Sequence, residues 1–272
     1  MPDRRCLPWA CLPLAVTLHA AEPVALPEAL PRVPPTPAAT AAATFQVRPG
    51  FTARLLAAEP LVVDPIALDV DEYGAAYVVE MRDYSERRPE RLGRIRRLTD
   101  TNGDGTFDSA QVFLESLAWP TAVACWDGGV FVGATPDILY AKDTDGDGRA
   151  DLREAVFTGL AADFAPYATN RLNVQALVNS FRWGLDQRFH ASSSLSGGSL
   201  TLVDSPFTRA WRARAGGPAA SPTPAPVNLR GRDFHWDPRT LEVHPETGGG
   251  QHGMSFDDSG RRFVCSNSDH LQ

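Results

Sequence analysis

The chain has 272 residues, with 33 acidic side chains against 26 Lys and Arg and a formal net charge of −7. It holds no basic tract suited to nucleic acid, and its charge gives no argument for a polyanionic partner. Beyond the first eighteen residues no run is apolar and long enough to span a bilayer, so no transmembrane segment is expected past a signal peptide.

Met1–Arg5 is short and basic, Cys6–Leu18 is mostly apolar, and Leu18-His19-Ala20-Ala21 offers a cleavage region. Residues 1–21 therefore read as a signal peptide and predict a secreted or periplasmic protein. Residues 22–44 are rich in Pro and Ala with almost no large apolar side chain, too little to bury, and read as a linker. Residues 45–272 are expected to fold. After signal removal only Cys125 and Cys265 remain, and two buried free thiols are favoured over a disulfide.

The folded part opens with an alternating strand pair, Ile66–Val79, turning at an acidic and Gly-containing stretch. The same outline returns at Thr121–Gly133, Phe181–Ala191 and Met254–Cys265. Four hairpins at spacings of roughly fifty-five to seventy residues are the pattern of a β-propeller. No helical periodicity stands out. The expectation is an all-β protein, a β-propeller of four-stranded meander blades with about four blades present and incomplete at the C-terminus. A β-sandwich is the competing topology.

Between the hairpins lie two nearly identical loops, Asp100-Thr101-Asn102-Gly103-Asp104-Gly105-Thr106-Phe107-Asp108 and Asp143-Thr144-Asp145-Gly146-Asp147-Gly148-Arg149-Ala150-Asp151. Oxygen-bearing side chains at positions one, three, five and nine, with Gly at six, are what a hard cation with six to eight oxygen ligands requires. Position seven, Thr106 and Arg149, offers a backbone carbonyl. Glu154 stands at position twelve of the second loop and Gln111 at that of the first, so the first is expected to bind more weakly. β-prone runs flank both loops, where an EF-hand would have helices, so each is expected to join two strands. Two structural Ca2+ sites follow, with a catalytic metal as the lesser alternative. Without the loop acids and Glu154 the chain would be nearly neutral.

In a meander the chain enters and leaves each hairpin at one end of the blade, with the hairpin turn and acidic loop at the other. The ligand mouth is therefore expected to gather Glu80, Arg82, Asp83 and Tyr84, Asp137, Asn179 and Arg182, Gln251 and His252, and Asn267, Asp269 and His270. Such a mixture of carboxylate, guanidinium, amide and imidazole suits a polyhydroxylated ligand. His252, set among glycines, is the candidate general base, with a turn histidine as its plain alternative. Arg82 and Asp83 could instead pair with one another. Trp183 reads as core, His235 and Trp236 as structural, and Ala213–Val227, with four prolines, as an insertion or lid.

The paired acidic loops, Trp119-Pro120-Thr121 leading to Trp126-Asp127-Gly128-Gly129-Val130, Arg182-Trp183-Gly184-Leu185-Asp186, Gly231-Arg232-Asp233-Phe234, and Phe256-Asp257-Asp258 with Arg262–Asn267 together resemble the PVC-type (planctomycete and verrucomicrobial) membrane-bound dehydrogenases. The amino-terminal propeller of that family is distantly similar to the quinoprotein glucose/sorbosone dehydrogenases. The resemblance implies a calcium-containing propeller that oxidises a sugar or alcohol with a quinone such as PQQ; for such a reaction His252 is the expected proton acceptor, and Arg82, Asn179 and Asn267 are expected to orient substrate or cofactor. It also implies a c-type haem domain in a longer parent. The chain has no Cys-x-x-Cys-His stretch, so it carries no haem by that route. The family propeller looks six-bladed, so four hairpins read as part of one. A non-catalytic, calcium-stabilised propeller that binds carbohydrate or protein is the second expectation.

Overall fold

The computed structural model describes residues 33–164, 172–216, 224–248 and 250–266. The expected signal peptide, the start of the linker, and Asn267, Asp269 and His270 lie outside the described residues. The rest of the linker contains one short helical turn, α1 (Ala38–Ala41), which runs into a 3-10 turn through Thr44 and buries nothing.

Almost all regular structure is antiparallel sheet. β1 (Pro65–Val70), β2 (Ala76–Glu80), β3 (Gly93–Thr99) and β4 (Ser109–Leu117) form a meander in that order. β5 (Ala122–Trp126), β6 (Gly129–Ala134), β7 (Asp137–Lys142) and β8 (Leu152–Leu160) form a second. β9 (Asn179–Trp183) and β10 (Phe189–Ser192) open a third sheet. The chain leaves it through β11 (Gly198–Leu202), helix α2 (Pro206–Arg214) and β12 (Val227–Asn228), whose strands extend the second sheet, and returns as β13 (Arg232–Trp236) and β14 (Val243–Thr247). β15 (Met254–Phe256) and β16 (Arg262–Val264) make a final hairpin.

Each expected strand pair is present. The clearest turn is Asp127-Gly128, two residues with φ of 51° and 71° between Trp126 and its register partner Gly129. Positive φ at both central positions is the type I′ turn whose twist matches a hairpin, and Asp-Gly is suited to it.

Alternation along β6 organises the core. Val130 and Val132 face one way, into a cluster with Tyr77, Val79, Ile95 and Phe113 of the first sheet. Phe131 faces the other way, into a cluster with Phe181, Phe189, Phe234 and Trp236 of the third sheet. The second sheet is thus packed on both faces, and the sheets follow one another face to face. Their first strands lie side by side, β1 against β5, β5 against β9, and β9 against β15. Among the described residues the sheets do not close into a ring, and the fourth unit contributes two strands.

Helix α2 departs from the expectation of no helix. Ser205 and Thr208 form a reciprocal capping box, and Pro206 occupies the first turn, where its missing N–H costs nothing. One face drives Trp211 into the core, 4.6 Å from Tyr140, with its Nε1 donating to the Pro238 carbonyl at 2.7 Å. The insertion expected from Ala213 therefore begins inside a helix. Trp183, expected in the core, is 46% exposed and stacks on Trp126 at 5.3 Å. Trp236 is fully buried, as expected. Cys125 and Cys265 are both free, but half-buried rather than buried.

Candidate functional site

Both acidic loops join neighbouring strands, β3 to β4 and β7 to β8, and fold into the same turn. Asp100 accepts from the N–H groups of Gly103 and Gly105, both at 2.7 Å. Asp143 accepts from Gly146 at 2.7 Å and Gly148 at 2.8 Å. Asn102 and Asp104 each accept from the N–H two residues on, and Asp145 and Asp147 repeat this. Asp108 and Asp151 close their loops by accepting from the backbone and hydroxyl of Thr101 and Thr144. The Gly105 N–H leads the set that lowers the Asp100 carboxyl below its ordinary value. For Asp143 desolvation is the largest single effect and pushes the carboxyl up, but the N–H groups of Gly148 and Gly146 together with Asp145 outweigh it and lower the carboxyl too.

In the second loop one carboxylate oxygen from each of Asp143, Asp145 and Asp151 lies within 4.8 Å of the others. Asp147 and Glu154 stand outside that group, Glu154 lying on β8 opposite Tyr140. Thr106 and Arg149 hold position seven with N–H groups turned to Asp104 and Asp147. Gln111 turns away from its own loop and donates to the Asp147 carbonyl at 2.9 Å, tying the two loops together. Oxygen-only donors that converge without a paired base fit a hard divalent cation such as calcium, which would neutralise carboxylates that otherwise repel.

The first strands of all four units line one cavity of about 180 Å³. Its walls include Ile66, Thr121, Ser180, Arg182, His252 and Met254. Arg182 and His252 both border it. Asn179 and Gln251 are not among the residues that line it, and Asn179 has another role. The Asn179 amide donates to the carbonyls of Leu177 and Gln251, both at 3.0 Å, and its oxygen accepts from Gly253 N–H at 3.2 Å and Ser180 Oγ at 2.8 Å. All its hydrogen-bonding capacity is used within the chain, so Asn179 clamps the His252 segment and has nothing left for a ligand.

Several other expected mouth residues are engaged within the chain. Glu80 is fully buried, accepts from Val63 N–H at 2.7 Å and pairs with Arg94, with Arg96 at 3.9 Å. Asp83, also fully buried, accepts from Trp119 N–H at 3.1 Å while Trp119 Nε1 donates to its carbonyl at 2.9 Å. Burial raises the Asp83 carboxyl, against the Trp119 N–H and the charges of Arg88 and Arg87. The Asp83 carboxylate therefore answers to Trp119, Arg88 and Arg87, while Arg82 is exposed. Tyr84 is exposed and its hydroxyl accepts from Gln175 at 3.1 Å. Asp137 accepts from the Thr158 hydroxyl at 2.6 Å.

A family model described as "Domain of unknown function (DUF7133)" matches residues 37–272. The chain belongs to the DUF7133 family. No curated protein matches it. A calcium structure of Trichoderma reesei carbohydrate-active enzymes family AA12 is 13% identical with a TM-score of 0.38, covering 71% of this chain and 40% of that one. A luciferin-regenerating enzyme is 10% identical with a TM-score of 0.34, covering 74% and 68%. An iodide structure of the same Trichoderma reesei AA12 family is 12% identical with a TM-score of 0.31, covering 80% and 94%. This DUF7133 chain thus spans two fifths of the length of the first of these.

On the third sheet of the DUF7133 chain lies a cluster that sequence reasoning missed. His190, His235 and His244 sit in register across β10, β13 and β14. Glu246, two residues beyond His244 and so on the same face, reaches His235 Nδ1 at 2.6 Å and His190 Nδ1 at 2.8 Å with one oxygen, and Arg262 at 2.6 Å with the other. Burial pushes the Glu246 carboxyl up, but His190, His235 and Arg262 hold it down to about 2. Burial also opposes a charge on His190, yet Glu246 and Asp186 raise the imidazole above its ordinary value. The alternation of His244 and Glu246 was legible, but the partner strands were not.

Proposed function

We propose that this DUF7133 chain is a calcium-stabilised β-propeller domain, made of the meander units described, that binds a polyhydroxylated small molecule such as a sugar at its axial cavity. The observation that carries the reading is the repeated turn of the acidic loops, with the carboxylates of Asp143, Asp145 and Asp151 gathered in one of them. The side-by-side first strands support the radial arrangement, and Arg182 and His252 supply directed hydrogen-bonding groups at the cavity. In this reading calcium fixes the outer loops and the ligand sits at the far end of the sheets. The signal-like segment 1–21 supports a secreted or periplasmic address, where calcium is plentiful.

The resemblance to membrane-bound dehydrogenases favours a second reading, oxidation of a sugar or alcohol with His252 as proton acceptor and a c-type haem domain of a longer parent as electron partner. The described residues at the axis do not fit a quinone such as PQQ. One guanidinium, one imidazole and the Thr121 and Ser180 side chains border a cavity of about 180 Å³, lined otherwise by apolar groups such as Ile66, Val123, Phe181 and Met254, smaller than the roughly 300–1,000 Å³ that hold drug-sized molecules.

A panel of sugars titrated calorimetrically into calcium-loaded protein separates the readings. Binding that is lost in Arg182→Ala and His252→Ala, with melting temperature unchanged, is the expected result. Absence of binding across the panel would overturn the carbohydrate reading, and turnover of an artificial electron acceptor with added PQQ would establish the second.

A further inference from the structure

We propose that His190, His235 and Glu246 form a site for a zinc-type divalent metal ion on the third sheet, separate from the acidic loops and from the axial cavity.

The donor set differs in kind from the loops. Two imidazoles with one carboxylate suit zinc or a neighbouring first-row metal, whereas calcium takes oxygen alone. The three ligand atoms, His190 Nδ1, His235 Nδ1 and a Glu246 oxygen, lie within 4.8 Å of one another. They come from three adjacent strands held by the β10–β13–β14 register, so the set is built on a rigid surface rather than a loop.

His190 supplies the decisive detail. It is 7% exposed, and its Nδ1 is buried with no hydrogen bond, although the Glu246 oxygen stands 2.8 Å away. Its other nitrogen, Nε2, lies 3.0 Å from Asp186 Oδ1. A carboxylate there fixes a proton on Nε2. With that proton in place, Nδ1 faces the Glu246 oxygen and takes either a second proton or a metal ion between them, and carboxylate–histidine–metal chains of this kind orient metal-bound imidazoles. Arg262 holds the second Glu246 oxygen at 2.6 Å, and Asp233, 3.6 Å from Arg262, offsets the Arg262 charge.

Zinc bonds of about 2.0–2.2 Å place tetrahedral ligand atoms roughly 3.3–3.5 Å apart. The present separations of 2.6 and 2.8 Å would therefore open by less than 1 Å. One contact must turn aside, that of Arg188 Nη1 with His235 Nε2 at 3.3 Å, because His235 bound through Nδ1 carries its proton on Nε2. Three protein ligands leave one tetrahedral position for water. Arg262 comes from β16, so the ion would also fasten the last hairpin to the third sheet.

The test loads chelator-treated full chain with Co2+, whose visible absorption reports tetrahedral nitrogen and oxygen ligands, and then displaces it with Zn2+. One Co2+ per chain with that absorption is expected. It should vanish in His235→Ala and Glu246→Gln, weaken about 10–100-fold in Asp186→Asn, and persist in Asp145→Ala, which weakens the second acidic loop. His190 is buried and its replacement endangers the fold, so the half-buried His235 provides the independent variant. No Co2+ absorption in the wild type, or absorption undiminished in His235→Ala, would overturn the proposal.

Discussion

In the first acidic loop Asp100 gathers the N–H groups of Gly103 and Gly105, and in the second Asp143 gathers those of Gly146 and Gly148, so the two share one backbone turn. They part at position three. Asp145 adds a third carboxylate to the group made by Asp143 and Asp151, while its counterpart Asn102 brings a neutral amide. Their surroundings differ in the same sense. Arg54 donates to the Asp104 carbonyl at 3.2 Å and the Gly105 carbonyl at 3.4 Å, placing a positive charge against the first loop. The second borders a cavity of about 310 Å³ that also takes in Asp71 and Glu72, with Arg97 as the opposing charge. Backbone geometry alone thus does not make the two loops equivalent, and on the proposed reading the third clustered carboxylate makes the second loop the tighter calcium site.

The strongest way to break this comparison is to remove the position-one carboxylates in turn. Asp143→Ala should abolish the tighter calcium site. At calcium near 100 times the dissociation constant it should lose a stabilisation of about 2.7 kcal/mol, read as the calcium-dependent part of thermal unfolding. Asp100→Ala should lose less. Equal losses would show that Asn102 and Arg54 do not weaken the first loop.

Glycine replacement tests the shared turn instead. Gly105 and Gly148 have φ of 82° and 87°, so an alanine at either is strained by about 1–2 kcal/mol. At Gly148 the added Cβ would also fall 2.3 Å from Gln111 Oε1, whereas at Gly105 it would meet only the end of Arg54 at 3.2 Å. Gly148→Ala should therefore cost roughly 1 kcal/mol more, since it severs the Gln111 bridge to Asp147. Urea unfolding of the two variants measures the difference.

Asn102→Asp sharpens the contrast from the other side. Supplying the missing carboxylate should tighten the first site roughly tenfold, about 1.4 kcal/mol in calcium titration. An unchanged affinity would place the deficit with Arg54.

Acidity should move the loops and the buried mouth carboxylate in opposite directions. The Asp100, Asp143 and Asp151 carboxyls lie below their ordinary values. Their contribution is therefore full above the unfolded value of about 3.9 and is lost as pH falls through the folded values. Asp83 is raised by burial, so its contribution is full below about 3.9 and declines as pH rises through the folded value. Asp83→Asn keeps an acceptor for Trp119 N–H and should melt at or above the wild-type temperature at pH 8, with no advantage near pH 4. A lower melting temperature at both pH values would contradict the assignment.

These contrasts also mark how far the sequence could be read. The strand pairs and loop positions follow from spacing of two and from Asp-Gly chemistry within a dozen residues, and they stand where expected. The excursion through β11, α2 and β12 interrupts the third sheet for reasons of packing around Trp211, although Ser205-Pro206 and Thr208 carried the helix signal. Glu80, Asp83 and Asn179 looked like ligand groups because their partners, Val63, Trp119 and Gln251, are 17 to 72 residues away. The His190, His235 and Glu246 cluster depends on the pairing of β10 with β13, which no local pattern specifies.

Calorimetric calcium titration of the chelator-treated chain, beside Asp145→Ala, tests the account most directly. Two sites of unequal affinity are expected, with the tighter one reduced in the variant to the strength of the weaker. Absence of calcium binding, or a tighter site that survives Asp145→Ala unchanged, would contradict it.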